Sequence, residues 1–197
     1  VDSAILVWNK GYEMDKLTPM PLIGKFRVLW LKGDKAGAQA EILKAMELTK
    51  GKKTNLKRAE VIRGIAEMYI ESENKDLDQA LTLLQEAITK DPNNEDNYLL
   101  QGDALYAKTP QDASPAIKSY NIVLDINKNS PRGKLRVANI YQAAQNYEEA
   151  NKIYKEAIAI DSTFAPAYRE RAEMFMRFDK MKLAIQDWKK YLALNSN

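Results

Sequence analysis

Between residues 131 and 164, apolar and polar positions alternate with helical spacing in two blocks separated by a short polar turn. Apolar residues returning every three to four positions predict amphipathic helices over 132–145 and 148–160. Ala138, Ala150 and Ala157 fall where two helices must approach closely, and Tyr141, Tyr147 and Tyr154 where the space between helices must be filled. Asn146 and Glu149 have the spacing of a capping box, which would start the second helix by satisfying its free amides. The apolar face of such a pair is wider than two helices can cover, so neighbours of the same kind are expected.

The chain supplies them at a period of 34 residues: Ala138, Tyr141, Ala150 and Tyr154 return as Ala172, Phe175, Ala184 and Trp188. Counting back from Ala150, Tyr154 and Ala157 gives Ala116, Tyr120 and Val123. Several size-specific positions returning together mark a helical repeat array. The predicted organisation is one domain over 1–197, with a half repeat at 1–18 and repeats at about 19–52, 55–94, 95–130, 131–164 and 165–197. Helices are expected over 4–14, 20–32, 35–48, 55–72, 77–90, 95–108, 115–127, 165–178 and 181–194. Asp76 and Gln79 form a second capping-box pair, and Ser114 before Pro115 reads as an N-cap followed by proline in the first turn. Ala38 and Ala80 are 42 residues apart, and the basic connector 49–54 (TKGKKT) contributes most of that insertion. Ile5, Val7 and Trp8, on a second helix without its first, should have an uncovered side.

Composition removes several function classes. A net charge of +3 gives no global field to recruit nucleic acid or anionic membrane. Runs such as 4–8 are far short of the roughly 20 residues a membrane span needs. With neither cysteine nor histidine, disulfides, the usual zinc site, the Ser-His-Asp triad and the Cys-His pair are all unavailable, and no cofactor or metal is expected. The absence of cysteine leans towards an exported, periplasmic bacterial protein and leaves the cytoplasm open. Without an initiator methionine or a signal peptide, the chain reads as processed or cut from something longer.

The spacing of small and aromatic residues resembles the tetratricopeptide repeat, a 34-residue helix-turn-helix unit, over five full repeats and one half. Pro92, in Asp91-Pro92-Asn93, sits where that family often places its inter-repeat proline; Lys128, Ser162 and Ser196 replace it elsewhere, and Phe26 stands where a small residue is expected. The resemblance implies an all-α, right-handed α-solenoid whose first helices line a concave groove, which typically binds an extended peptide or a partner's helix. Some members clamp the carboxylate tail of heat-shock chaperones; only Arg132 and Arg136 match that residue set, and Leu100 stands where asparagine is needed, which argues against it.

The outward side of each first helix supplies the candidate partner-binding residues: Arg63, Leu99, Asp103, Tyr106, Arg132, Arg136, Asn139 and Arg169, with Arg27, Trp30, Glu60, Glu67, Asp96, Leu135, Glu173 and Met176 beside them. Arg132 and Arg136 are four apart on one face, so these arginines with Asn139 and Arg169 could hold a carboxylate, because guanidinium offers it a bidentate fork. Internal pairing with Asp103 and Glu173 is the plainer use of the same charges. Two runs that begin like calcium loops, 91–95 and 125–129, lack the sixth-place glycine, and Arg136 takes the twelfth place of the second, so both read as inter-repeat turns. The basic stretch 50–57 reads as a solvated loop.

The expected function is a non-enzymatic protein-interaction scaffold. Asp96/Asp103 and Glu60/Glu67 could be carboxylate pairs of an enzyme, but nothing shapes a pocket around them. An RNA-binding array is disfavoured by near-neutral charge. A last helix presenting Trp188, Tyr191 and Leu192, with the bare first helix, raises a further alternative: a fragment of a larger protein, or a homo-oligomer formed through uncovered end helices.

Overall fold

A computed structural model describes residues 2–50, 59–71 and 75–196. Among these residues there are eleven α-helices and no strand. They group into two compact units, residues 1–108 and 109–197. The first holds α1 (Asp2–Met14), α2 (Met20–Leu31), α3 (Lys35–Lys50), α4 (Ala59–Glu71), α5 (Leu77–Lys90) and α6 (Glu95–Lys108). The second holds α7 (Ser114–Ile126), α8 (Pro131–Ala143), α9 (Tyr147–Ile160), α10 (Ala165–Arg177) and α11 (Met181–Asn195). The fold is all-α and repeating: α2 packs on α3, α4 on α5, α8 on α9 and α10 on α11. The expected helix at 55–72 is seen from Ala59 to Glu71; its remaining positions and most of the connector 50–57 lie outside the described residues.

The close approaches are made at small residues. Ala38, Ala66, Ala80, Ala116, Ala138, Ala150, Ala157, Ala172 and Ala184 are all fully buried, as are the large fillers Tyr120 and Tyr154. The exception expected at Phe26 has a local cause. Phe26 is buried and leans on Trp30 (ring centroids 5.8 Å), while the close approach moves two residues earlier, to Gly24. A β-carbon on Gly24 would collide with the Trp8 indole of α1. Trp8 is therefore half-buried, and Leu6 and Val7 carry the open side of that helix.

Sequence chemistry also explains the turns. Asp76 accepts a hydrogen bond from the Gln79 amide (2.9 Å), and Asn146 from that of Glu149 (3.4 Å), capping α5 and α9. The Glu149 carboxylate turns to Lys152 (3.0 Å). Ser114 does not cap α7; it lies inside the helix, whose N-cap is Ala113. Its amide donates instead to Asp112 (3.0 Å), and with the Ser114 hydroxyl this holds the Asp112 carboxyl below its ordinary range. The same Ser-Pro dipeptide does cap α8, where Ser130 accepts from the Gly133 amide (3.2 Å). Both calcium-like runs are helix-to-helix turns, stitched by Asn94 to Asp91 (2.9 Å) and by the Asn129 amide to Asn127 (3.0 Å).

Inside three helix pairs the first helix ends in a left-handed residue: Gly33 (φ 78°), Gln145 (φ 59°) and Asp179 (φ 52°). The next amide then reaches back five residues, Asp34 to Leu29 (3.0 Å), Asn146 to Tyr141 (2.9 Å) and Lys180 to Phe175 (2.8 Å), satisfying carbonyls the helix leaves bare. Glycine takes this conformation without steric penalty; glutamine does not.

Two stability predictions follow from these contacts. Ala150→Leu forces a branched side chain into a filled crossing and should lower stability by roughly 1–3 kcal/mol in a urea melt. Gln145→Gly should raise it by about 0.5–1 kcal/mol, the relief of left-handed strain less the extra chain entropy of glycine. An unchanged midpoint for the leucine variant would contradict the packing described.

Candidate functional site

In the first unit the first helices α2, α4 and α6 are neighbours, α2 touching α4 and α4 touching α6. Their polar sides are joined by charged clips. Arg27 on α2 donates through Nε to Glu67 on α4 (3.0 Å). One repeat later, Arg63 on α4 reaches α6, donating from Nη1 to the Asn97 side-chain oxygen (3.1 Å) and standing 3.6 Å from Asp96. Asn97 is fully buried, and its amide nitrogen donates to the Asp91 carbonyl (2.9 Å) and the Ala87 carbonyl (3.4 Å) at the end of α5. Arg63 is therefore part of the inter-repeat joint as well as of the polar face.

Further along that face, like charges gather. Burial raises the pKa of Glu71 on α4; Lys75 opposes the shift, and Glu67 and Asp103 add to it. Glu67 and Glu71 are four apart on α4, and Asp103 comes from α6. This acidic set belongs with the expected position Asp103, but Glu71 was not among the sequence candidates. Its signal was present in the i, i+4 spacing from Glu67, at the last position of α4.

The remaining expected positions divide. Tyr106 is half-buried on α6. Leu99 is only 4% exposed, and Leu135, its counterpart on α8, is buried to the same extent, so both are core residues and neither is on offer to a partner. A register read from one helix cannot see how far the next helix leans over it.

In the second unit α8 and α10 are in contact and carry the arginines. Arg132 is exposed and Arg136 half-buried, one turn apart on α8. Arg169 on α10 is taken up by its own neighbour, donating to Glu170 from Nε (3.2 Å) and Nη2 (2.5 Å). Asn139 is tied to the core by the Tyr154 hydroxyl, which lies 2.7 Å from its side-chain oxygen and 2.6 Å from that of Gln142. A phenol has one proton, which it donates to one of these two amide oxygens at a time. Burial, with Glu170 and Glu173 nearby, pushes the Tyr154 phenol far above its ordinary range, and the hydroxyl stays protonated. Asn139 thus positions Tyr154, and of the expected arginines in this unit Arg132 and Arg136 stand together on α8.

No protein-family model and no curated protein matches the chain. Solved structures do. TTC0263, described as a thermophilic tetratricopeptide-repeat protein in Thermus thermophilus, is 15% identical with a TM-score of 0.70, over 89% of this chain and 91% of that one. YrrB, described as a tetratricopeptide-repeat protein with an unusual peptide-binding site, is 16% identical with a TM-score of 0.51, over 96% and 93%. The APC/C hetero-tetramer Cut9–Hcn1 is 15% identical with a TM-score of 0.66, over 100% of this chain and 37% of that one. The likeness is one of fold, and the fold is that of the tetratricopeptide-repeat array. Among the described residues, no helix is long and apolar enough to cross a membrane.

The acidic set gives a prediction in pH. The folded pKa of Glu71 lies above its unfolded value, so its contribution to stability is present at low pH and is lost as pH rises through the folded value. Glu71→Gln should therefore stabilise the protein at pH 7 and change nothing at pH 3, where the wild-type carboxyl is protonated in both states. Urea melts at the two pH values read the difference directly; an equal gain at both would point to packing instead of charge.

Proposed function

We propose that the chain is a non-catalytic protein-interaction scaffold that binds a peptide or a partner's helix on the polar faces of its first helices. The observation that carries the reading is that like charges stand side by side at two places on those faces, next to the Arg27 and Arg63 clips. Glu67 and Glu71, with Asp103, suit a lysine or arginine of the ligand; Arg132 and Arg136 suit a carboxylate, which a guanidinium pair grips bidentately. Like charges four apart on a helix repel. An oppositely charged ligand turns that repulsion into binding energy. Tyr106 adds an amphipathic ring to the first unit's face. The helical-repeat fold of the structural neighbours supports a scaffold, and the peptide-binding site named for YrrB is a precedent for a peptide ligand.

The test is a displayed random-peptide selection against the whole chain, followed by calorimetry on the selected peptides. Binders should carry a free or side-chain carboxylate. The double variant Arg132→Ala/Arg136→Ala should weaken them tenfold or more, in line with the roughly 1.5–3 kcal/mol of a charge-assisted hydrogen bond. Asn139 is left intact because its loss would unseat Tyr154. Selected peptides that bind the double variant unchanged would remove α8 from the site.

A further inference from the structure

The array buries one stripe of each second helix under the first helix that follows. On α5 the stripe includes Leu84, fully buried, and Ile88, 9% exposed, both under α6. On α9 the position equivalent to Leu84 is Tyr154, fully buried under α10, and the stripe's start is sealed by Tyr147 against Phe178 (ring centroids 5.1 Å). On α11 the same register falls on Met181, Ile185, Trp188 and Leu192, spaced four, three and four residues apart. Here Met181 is 49% exposed, Ile185 48% and Leu192 61%, and Trp188 is half-covered. The position of Leu84 and Tyr154 is buried on α3 (Ile42) and on α7 (Tyr120) as well, and on α11 the stripe is surface.

The charge beside it indicates what would cover it. At 3.6 residues per turn, Lys182 and Lys189 lie one above the other along one edge of the stripe, and both are exposed. The single carboxylate of α11, Asp187, faces the other way: it is buried and held by two hydrogen bonds from Arg171 of α10, each 2.7 Å. The edge is therefore basic, with nothing acidic on its own helix to balance it.

We propose that the outer face of α11 docks an acidic amphipathic helix of a partner protein, laid on it as α6 lies on α5 and α10 on α9. The partner's apolar side covers Ile185, Trp188 and Leu192, and its carboxylates meet Lys182 and Lys189. This surface is separate from the Arg132/Arg136 face, and neither reading depends on the other.

The probes are two stapled peptides of the α10 sequence, residues 165–178. One is made acidic by Arg169→Glu, Arg171→Glu and Arg177→Glu, the other basic by Glu170→Lys and Glu173→Lys. Binding to the whole chain is followed by fluorescence polarisation, and its place by amide chemical shifts. The acidic peptide should bind at least tenfold more tightly than the basic one, with shifts concentrated at 181–192. Ile185→Glu should weaken it at least tenfold while leaving the circular dichroism spectrum unchanged, and Lys182→Glu/Lys189→Glu should reverse the preference. Equal affinity for both peptides, or indifference to Ile185→Glu, overturns the proposal. So does sedimentation showing a dimer that Ile185→Glu abolishes, which would assign the face to a second copy of this chain.

Discussion

Helix axes can pass within about 8–10 Å of each other only where the side chains between them are small. That constraint governs this chain. The buried alanines at the crossings leave no room for a γ-carbon, and Gly24 shows the limiting case, where even a β-carbon has no space beneath Trp8. Because each crossing is made by methyl groups, the bulk of the core comes from a few large fillers between them, Tyr120 in α7 and Tyr154 in α9 among them. Stability is then built up pair by pair from local contacts, as expected of repeat arrays. The polar sides of the first helices contribute little to it, which leaves their composition open to other demands.

Charged clips fix the register that apolar packing leaves loose. Lys25 to Glu41 (2.8 Å) joins α2 to α3, Lys134 to Glu156 (2.7 Å) joins α8 to α9, and Arg171 to Asp187 joins α10 to α11. In the last both partners are buried or nearly so, and breaking it would strand a charge away from water, whereas exposed pairs such as Lys152 with Glu149 are worth little. Arg63 belongs to the same class. Its guanidinium holds the side chain of Asn97, which in turn satisfies carbonyls at the end of α5, so a residue on the polar face also sets how one repeat meets the next.

Much of this could be read from residue spacing. The bounds of α5 and α6 fall where the period places them, because both carry strong start and stop chemistry: Asp76 at one cap, and the Asp91-Pro92-Asn93 turn between them. The failures share a physical origin. Ser114 and Ser130 precede proline alike, yet only Ser130 caps a helix, because the Ser114 hydroxyl and amide both turn back to Asp112. Leu99 and Asn139 read as outward-facing on their own helices, but one is buried and the other is claimed by a tyrosine from the next helix. Periodicity reports the angle of a side chain about its own axis. Burial depends on a second helix whose lean that angle does not contain.

The acidic face follows from the same division of labour. Glu67 and Glu71 stand one turn apart on α4 with Asp103 on α6, and the pKa of Glu71 is raised, first by its burial and then by Glu67 and Asp103. Lys75 opposes the shift, and Arg27 hydrogen-bonds Glu67. The core gains nothing from the arrangement, because the close approaches of α4 and α5 are made by Ala66, Ala80 and Ala87. Because the packing is indifferent to this cluster, the fold leaves its composition open. On the proposed reading, a cationic group of a ligand seated there would lower the pKa of Glu71 and return the stability that its raised value costs.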